Sequence, residues 1–239
     1  MQNYLRIYVT IAFVSYASYP TIAHTSDFNC GRVDPTAPMT WDYFDPKNHM
    51  STGGVPQGNV KLVENVHLTK KMQSLETGNT GGGISGFLQD VDYTFRRIPN
   101  HPKALDMISR FQIRHGGKIP RMGNWVGSWT RSAECYFERA IQFTPREPVL
   151  HMLYGIHLHR SGRLTDAEKQ YLTSADLSPD SIELHYSIGL LYFELGKFDL
   201  AVQHAKKAYE GGYPLPALRE KLKKVGKWPA PIDSHNENQ

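Results

Sequence analysis

The chain has few cysteines and no strong excess of charge. Cys30 and Cys135 are the only cysteines among 239 residues, and two sulfurs so far apart lack the paired spacing of a zinc site. The 27 lysines and arginines are opposed by 23 aspartates and glutamates, which leaves a net charge of +4. A surplus this mild and dispersed does not predict a nucleic-acid-binding protein. Composition supports no enzyme class. The 40% of hydrophobic residues are enough to bury a core.

Motifs of enzyme chemistry are also lacking. The glycine-rich segment 78–86 has neither the lysine nor the hydroxyl that completes a phosphate-binding P-loop, and Asp90 and Asp92 follow it. We interpret the segment as a flexible hinge with Ser85 as a helix cap. No Gly-x-Ser-x-Gly nucleophile elbow occurs. The sequence therefore predicts no catalytic residue, no cofactor and no small-molecule substrate.

Histidine is plentiful, with 11 residues, but it is not spaced for a metal site. No two histidines lie four residues apart on a predicted helix. His157 and His159 are two residues apart, which turns their side chains about 200° from each other on a helix. We predict no metal site from the sequence, although histidines that are distant along the chain could still meet in the fold.

The first 23 residues have the order of a secretory signal peptide. Arg6 precedes an uncharged, mostly apolar run at 7–19, and the triplet Thr21-Ile22-Ala23 ends in a small residue. We expect cleavage there, so that the mature chain starts at His24. The predicted location is therefore outside the cytoplasm: the periplasm if the source is Gram-negative, and otherwise the extracellular space. A retained membrane anchor is the alternative, but a spanning helix needs about 20 apolar residues.

Export changes the interpretation of the two cysteines. In an oxidising compartment a pair of cysteines is more often a disulfide than a metal site or a nucleophile. We therefore predict a disulfide between Cys30 and Cys135, which lie 105 residues apart. Two separate buried thiols are the alternative.

A fixed period of 34 residues organises the C-terminal half. The landmarks that recur at this spacing are Ala133, Ala167 and Ala201, then Pro145 and Pro179, and Gly155 and Gly189. Small residues with an aromatic between them suit two closely packed helices, because the aromatic of one helix packs over the small side chain of its neighbour.

These landmarks resemble the tetratricopeptide repeat, a helix-turn-helix unit of this length. The resemblance implies an all-α fold, an α-solenoid of about three repeats with a C-terminal capping helix and an irregular N-terminal arm. Thr165 and Glu168 form a capping-box pattern that predicts a helix start at Thr165. The predicted organisation is a signal peptide at 1–23, an arm at 24–86, an array at 87–227 and a disordered tail at 228–239. Within the array we place repeats at about 102–147, 148–181 and 182–215, an insertion at 114–130 and the cap at 216–227.

The whole chain is similar to small exported tetratricopeptide proteins of Gram-negative bacteria. This resemblance depends on the signal segment, on Cys30-Gly31 and on the AECYFERAI helix that starts at Ala133. The insertion departs from the repeat pattern and carries Trp125 and Trp129. Insertions in repeat arrays often mark a binding face, but these tryptophans could equally pack the loop back onto the array.

The resemblance implies a concave groove, lined by the first helix of each repeat, that binds a peptide or another protein. The resemblance also implies that members which bind a C-terminal carboxylate do so with asparagine and lysine or arginine on these helices. No asparagine occupies the inward positions here, which disfavours such a ligand. The apolar and aromatic residues instead suggest an amphipathic or aromatic-bearing segment. The alternative is that the arm or the tail of the same chain fills the groove. The inward positions that the resemblance implies are Lys103, Asp106, Arg110, Val149, Met152, Ile156, His159, Arg160, Glu183, Tyr186, Leu190, Phe193 and Glu194.

Two functions remain open from the sequence. The first is a non-enzymatic adaptor or assembly factor that acts after export and binds a protein or peptide. The second is a small-molecule-binding protein or enzyme with its site between the N-terminal region and the insertion. The segment 197–227 carries eight lysines or arginines against three aspartates or glutamates. Such a run is usually a solvated face, so membrane contact is expected, if anywhere, only through this basic cap.

Overall fold

The helices follow the repeat pattern of the sequence. A computed structural model describes residues 30–51, 54, 56–75, 83–120 and 131–229, and within those ranges the regular elements are all helical. A short 3-10 helix spans Pro46–His49. The α-helices are α1 Asn59–His67, α2 Lys70–Gln73, α3 Gly83–Arg97, α4 Pro102–Arg114, α5 Ala133–Phe143, α6 Pro148–Arg160, α7 Leu164–Leu177, α8 Ile182–Glu194, α9 Phe198–Glu210 and α10 Ala217–Lys224. The prediction of an all-α fold is confirmed.

Local sequence signals explain where the repeat helices begin. α4 and α6 start with a proline, whose missing N–H would have had no partner at a helix start. Ser132 caps α5 and Ser181 caps α8, and each hydroxyl accepts a hydrogen bond of 3.3 Å from the amide three residues on. In the turns before α7 and α9, Gly162 and Gly196 adopt φ values of 75° and 71°, which glycine tolerates without a steric penalty.

The predicted capping box at Thr165 is wrong. The N–H of Arg163 donates to the carbonyl of Leu158 at 2.9 Å, and this tight turn starts α7 at Leu164. Thr165 therefore lies inside the first turn, and no side chain caps the helix. The Arg163 guanidinium instead binds the carboxylate of Asp166 at 2.8 Å.

The 34-residue landmarks lie where helices meet. α6 packs with α7 and α8 packs with α9 as helical hairpins, and α4 with α5 forms a third pair across the insertion. The landmark alanines Ala133, Ala167 and Ala201 are completely buried. Because a methyl group is the largest side chain these positions hold, the two helices of each pair can approach closely.

The N-terminal arm is less irregular than predicted. It contains α1, and α1 packs on α3 to make a further helix pair ahead of α4. Val60 and Val63 of α1 form a small core with Ile98, because apolar residues recur on one face of α1. α3 starts at Gly83, so Ser85 lies inside the helix and the prediction that it caps the helix is wrong.

The connection between α4 and α5 is long, as the insertion predicts. α4 ends at Arg114 and α5 starts at Ala133, whereas a short turn joins α6 to α7. Trp125 and Trp129 lie outside the described residues, as does the predicted signal peptide at 1–23. The predictions made for them stay untested.

The C-terminal cap is present and extends further than predicted. Leu218 and Leu222 of α10 are fully buried against the last repeat. Trp228, assigned above to a disordered tail, packs edge-on against Tyr209 at 5.8 Å between ring centroids. The disordered-tail assignment is therefore wrong for Trp228, because its ring packs against the main core. Residues 230–239 lie outside the described range. None of the helices described is long and apolar enough to cross a membrane.

Candidate binding groove

Three neighbouring helices carry the predicted inward positions, and side-chain contacts bring some of these positions together on one face. We call α4, α6 and α8 the inner helices, since each is the first helix of its pair. Arg160 of α6 reaches Asp106 of α4 with 3.2 Å between Nη1 and Oδ1. His159 of α6 reaches Glu194 of α8 with 3.0 Å between Nε2 and Oε2. These two contacts link the C-terminal end of α6 to the first half of α4 and to the C-terminal end of α8.

A row of paired charges, which we call the charged rim, borders this face. It consists of Asp106, Arg110, His159, Arg160 and Glu194. Asp106 also accepts a hydrogen bond of 2.8 Å from Nε of Arg110, one turn along α4. The side chains of Asp106, Arg110, Arg160 and Glu194 remain 34% to 46% exposed. Exposed ion pairs contribute at most about 1 kcal/mol each, so the rim defines a charge pattern more than it stabilises the fold.

Apolar side chains occupy α6 and α8 beside the charged rim. The residues Val149, Met152, Ile156, Leu190 and Phe193 are half-buried, and we call them the inner strip. Four of them pack against the main core while leaving part of their surface open. Phe193 lies 5.5 Å from Phe198 between ring centroids, and the ammonium of Lys221 lies 5.5 Å from the Phe193 ring. The strip therefore ends at a cation supplied by the cap.

Tyr186 does not line an open groove. Its ring stacks on Tyr213 with 4.0 Å between centroids, and only 6% of the residue is exposed. Burial raises the pKa of the Tyr186 hydroxyl. Tyr213 from the loop after α9 covers Tyr186, and the prediction that Tyr186 contacts a partner stays untested. Glu183, on the preceding turn, is exposed.

The N-terminal helices cover part of α4. The Lys103 ammonium binds Glu64 of α1 at 2.9 Å, and Arg110 donates to the carbonyl of Gln73, the last residue of α2, at 3.0 Å. Contact with His101, together with Lys103, lowers the pKa of Glu64 to about 2. Lys103 and Arg110 are thus directed toward the arm, and the open part of the inner face lies on α6 and α8.

A buried polar network joins α4, α5 and α6 and was not foreseen. Ser109 Oγ lies 2.9 Å from Nδ1 of His157, and His157 Nε2 lies 3.3 Å from a carboxylate oxygen of Glu134. Gln112 donates to the other oxygen of Glu134 at 2.9 Å and accepts from the N–H of Ala133 at 2.7 Å.

The network resembles a Ser-His-Glu arrangement but is sealed. His157 is 0% exposed and Ser109 is 2% exposed, so no substrate can reach the hydroxyl. Burial alone raises the pKa of Glu134, but contacts with His157 and Gln112 outweigh it and lower the pKa to about 2. The repeat register of the sequence could have indicated this network, because His157 stands where the next repeat has the buried Leu191. A polar residue at such a core position needs hydrogen-bonding partners.

A small pocket lies where the alternative function would place its site. It measures about 190 Å³, which is below the range of about 300 to 1,000 Å³ usual for small-molecule sites. Leu75 closes one side, since its carbonyl accepts a hydrogen bond of 3.4 Å from Arg114. The residues lining it are Leu75, Gly83, Ile84, Phe87, Phe111, Arg114 and His115. Over the part of the chain that the structure describes, no three His, Cys, Asp or Glu side chains are placed to share a metal ion.

A family comparison supports the repeat assignment. Residues 155–196 match the family model described as TPR repeat. The chain carries tetratricopeptide repeats. The match runs from the middle of α6 to the turn after α8, and it overlaps two of the three predicted TPR units.

Similar proteins are found at low sequence identity. The TPR repeat-containing thioredoxin TTL4 of Arabidopsis thaliana is 25% identical over 158 residues, which covers 64% of this chain and 22% of the relative. This chain thus spans about a fifth of that relative's length. The crystal structure of MamA is 18% identical, with 77% of this chain and 84% of that chain covered and a TM-score of 0.41.

A second solved structure, TTC0263, is described as a thermophilic TPR protein in Thermus thermophilus. It is 16% identical, with 70% of this chain and 98% of that chain covered and a TM-score of 0.37. Both TM-scores lie below 0.5, so the fold assignment depends on this chain's own helices and its 34-residue period.

Proposed function

We propose that this TPR protein is a non-enzymatic adaptor or assembly factor that acts after export and holds a protein or peptide segment on the inner strip. One observation carries the proposal: half-buried apolar side chains on two adjacent inner helices lie beside a rim of exposed charges. A groove of this kind gains binding energy from the apolar contact and orientation from the charges.

The inner strip favours a particular kind of ligand. Met152, Ile156 and Leu190 offer flexible aliphatic surface, and Phe193 offers an aromatic ring with the Lys221 ammonium over it. Flexible Met and aliphatic surfaces adapt to apolar side chains of differing shape. We therefore propose an amphipathic segment whose apolar face lies on the strip and whose polar face meets Arg160 and Glu194.

The location is part of the same proposal. The apolar run at 7–19 with its small-residue exit supports export. The two cysteines support it as well, because 5.1 Å separates their Cα atoms, a distance that suits the disulfide predicted from the sequence. Paired cysteines at this spacing persist in oxidising compartments.

Photo-crosslinking in living cells tests the groove. A photoreactive amino acid is placed at Ile156 of the inner strip and, as a matched control, at Leu172, which is 48% exposed on the outer helix α7. We expect a single dominant protein to be captured from position 156 and not from position 172. Ile156→Glu and Leu190→Glu should abolish its retention, whereas Leu172→Glu should not.

Two results would contradict the adaptor proposal. One is equal capture from positions 156 and 172, since this would mean that the inner face is not selective. The other is crosslinking from position 156 exclusively to residues before Gly86 of the same chain, which would show that the protein fills its own groove.

The pocket beside Ile84 carries the second candidate function. It lies between the N-terminal helices and the start of the insertion, where this candidate requires a ligand site. A compound that raises the melting temperature of the wild type, but not of Ile84→Trp, would support this candidate. Ile84 is 41% exposed at the pocket wall, so the indole should fill the space without disturbing the core.

A further inference from the structure

Two histidines that are distant in sequence meet between the helices of the third TPR unit. His185 lies on α8 and His204 on α9, and their Nδ1 atoms are 3.1 Å apart. The rings are inclined by 58°, with 5.1 Å between their centroids. Two imidazole nitrogens that bind one tetrahedral ion at about 2.05 Å lie about 3.3 Å apart. The observed separation is within a few tenths of an ångström of that value.

The second nitrogen of His185 is already occupied. The Pro179 backbone acts on the His185 ring, as the Pro145 carbonyl does on Nε2 of His151 one period earlier, and proline offers only a carbonyl oxygen as an acceptor. Since Nδ1 of His185 faces His204, the donating nitrogen is Nε2. In neutral His185 the Nδ1 lone pair therefore accepts a hydrogen bond from Nδ1–H of His204, and His204 binds an ion through Nδ1 once its proton is on Nε2 instead. Metal-binding histidines commonly have their other ring nitrogen fixed by a carbonyl in this way.

The preceding repeat shows which residue packing alone needs at the position of His204. One period earlier, His151 and Gln170 occupy the equivalent positions, and His151 Nδ1 lies 2.9 Å from the Gln170 amide oxygen. His151 also contacts the carbonyl of Pro145 through Nε2 at 3.1 Å. A glutamine therefore satisfies this position in a TPR hairpin, and the imidazole of His204 adds a donor atom that packing does not need.

The surroundings allow an ion to reach the pair. His185 is 7% exposed, whereas His204 is half-buried and opens the site to water. Asp180 acts electrostatically on His185 and Lys207 acts on both histidines, and the Tyr192 ring lies 5.6 Å from the His204 ring. Burial, with His185 and Lys207 nearby, lowers the pKa of His204 to about 4. Burial also lowers the pKa of His185.

We propose that His185 and His204 chelate one divalent transition-metal ion of the kind that prefers imidazole, such as Zn²⁺ or Cu²⁺, through their Nδ1 atoms. Water completes the coordination, since two protein ligands leave positions open. The ion links α8 to α9 and so stabilises the TPR unit that carries Leu190 and Phe193. With two protein ligands the ion exchanges with solvent, so occupancy follows the metal concentration outside the cell.

The test uses the full exported chain, without an affinity tag, and the repeat supplies the variants. His204→Gln carries the residue of the preceding repeat, and Gln170→His copies the histidine pair into that repeat. Zn²⁺ and, separately, Cu²⁺ are titrated by calorimetry at pH 7, and melting temperatures are recorded with and without metal. Melting temperatures without metal show whether each variant is folded.

We expect the wild type to bind one ion more than His204→Gln, or to bind it at least tenfold more tightly. Metal should raise the melting temperature of the wild type and leave that of His204→Gln unchanged. Gln170→His should gain a second site. Equal stoichiometry and affinity for the wild type and His204→Gln would overturn the proposal. A folded Gln170→His that gains no ion would overturn it as well, because a histidine pair at these positions would then not be enough to bind a metal ion.

Discussion

The ring of Tyr171 lies directly against the α-carbon of Gly155, where α7 crosses α6. A β-carbon built on Gly155 would come 2.5 Å from two ring carbons of Tyr171. One period later, the place of Tyr171 is taken by Ala205, and the methyl of Leu218 from the cap comes 2.6 Å from a β-carbon built on Gly189. The cap thus fills, in the last TPR unit, the space that an aromatic ring fills in the unit before it.

This difference predicts unequal costs for two identical substitutions. Gly155→Ala should lower the free energy of unfolding by about 1 to 2 kcal/mol, because a rigid buried ring cannot move aside and the helix propensity of alanine offsets only part of the strain. Gly189→Ala should cost less than about 1 kcal/mol, since the end of Leu218 can rotate away. Urea denaturation followed by circular dichroism measures both. Equal losses of unfolding free energy for the two substitutions would show that the contact between Gly155 and the Tyr171 ring is looser than described. In a Tyr171→Leu background, Gly155→Ala should cost less unfolding free energy than it does in the wild type.

The cap makes a second prediction. Leu222 is fully buried against the last repeat, so Leu222→Ala should lower the free energy of unfolding by about 2 to 5 kcal/mol. Val225 lies at the end of the same helix and is 44% exposed. Val225→Ala is therefore the matched control, and its effect should stay within about 0.5 kcal/mol. Similar effects of the two substitutions would mean that α10 does not seal the array.

Much of the array could be predicted from the sequence because its landmarks serve local packing. The alanines and glycines recur every 34 residues since each repeat solves the same helix-to-helix contact. The predicted caps at Thr165 and Ser85 are wrong, because a tight backbone turn starts α7 at Leu164 and because Ser85 lies inside α3. A capping pattern only predicts a helix start when no nearby tight turn already provides one.

The groove was harder to predict because it depends on contacts outside its own helices. Tyr186 occupies an inward position on α8, yet Tyr213 covers it from a loop whose conformation the period does not encode. Lys103 occupies an inward position on α4, yet its ammonium binds Glu64 of a helix in the arm. Long-range pairs such as His185 with His204 become visible only when the register of two helices is known.

The buried network predicts a change in acid stability. Because the pKa of Glu134 is lowered to about 2 in the folded chain, below its ordinary 4.5, the stability that it contributes is fully present above pH 4.5 and is lost as the pH falls toward 2. Glu134→Gln should therefore flatten the fall in unfolding free energy between these two values. At pH 7 it should cost about 1 to 3 kcal/mol, since His157 loses its charged partner.

Stability is measured by urea denaturation from pH 2 to 7. Glu220→Gln provides the control, because Glu220 is 54% exposed in a surface pair with Lys223 and should change the unfolding free energy by less than about 0.5 kcal/mol. Parallel acid profiles for the wild type and Glu134→Gln would mean that the network contributes no proton-linked stability.

The last prediction concerns the link between the arm and α5. Next to the disulfide predicted between Cys30 and Cys135, the Arg139 guanidinium donates to the carbonyls of Cys30 and Arg32 at 3.2 and 3.1 Å, so these hydrogen bonds attach the arm to α5. A bond that closes 105 residues restricts the unfolded chain, and its loss should lower the free energy of unfolding by about 2 to 4 kcal/mol. Cys30→Ser combined with Cys135→Ser should therefore melt at a lower temperature and be cut sooner by trypsin after Arg32.

Dithiothreitol should lower the melting temperature of the wild type to that of the double variant and leave the double variant unchanged. If unreduced exported protein is alkylated at both thiols, the two cysteines are unpaired in the cell, and the arm is held by hydrogen bonds and packing alone.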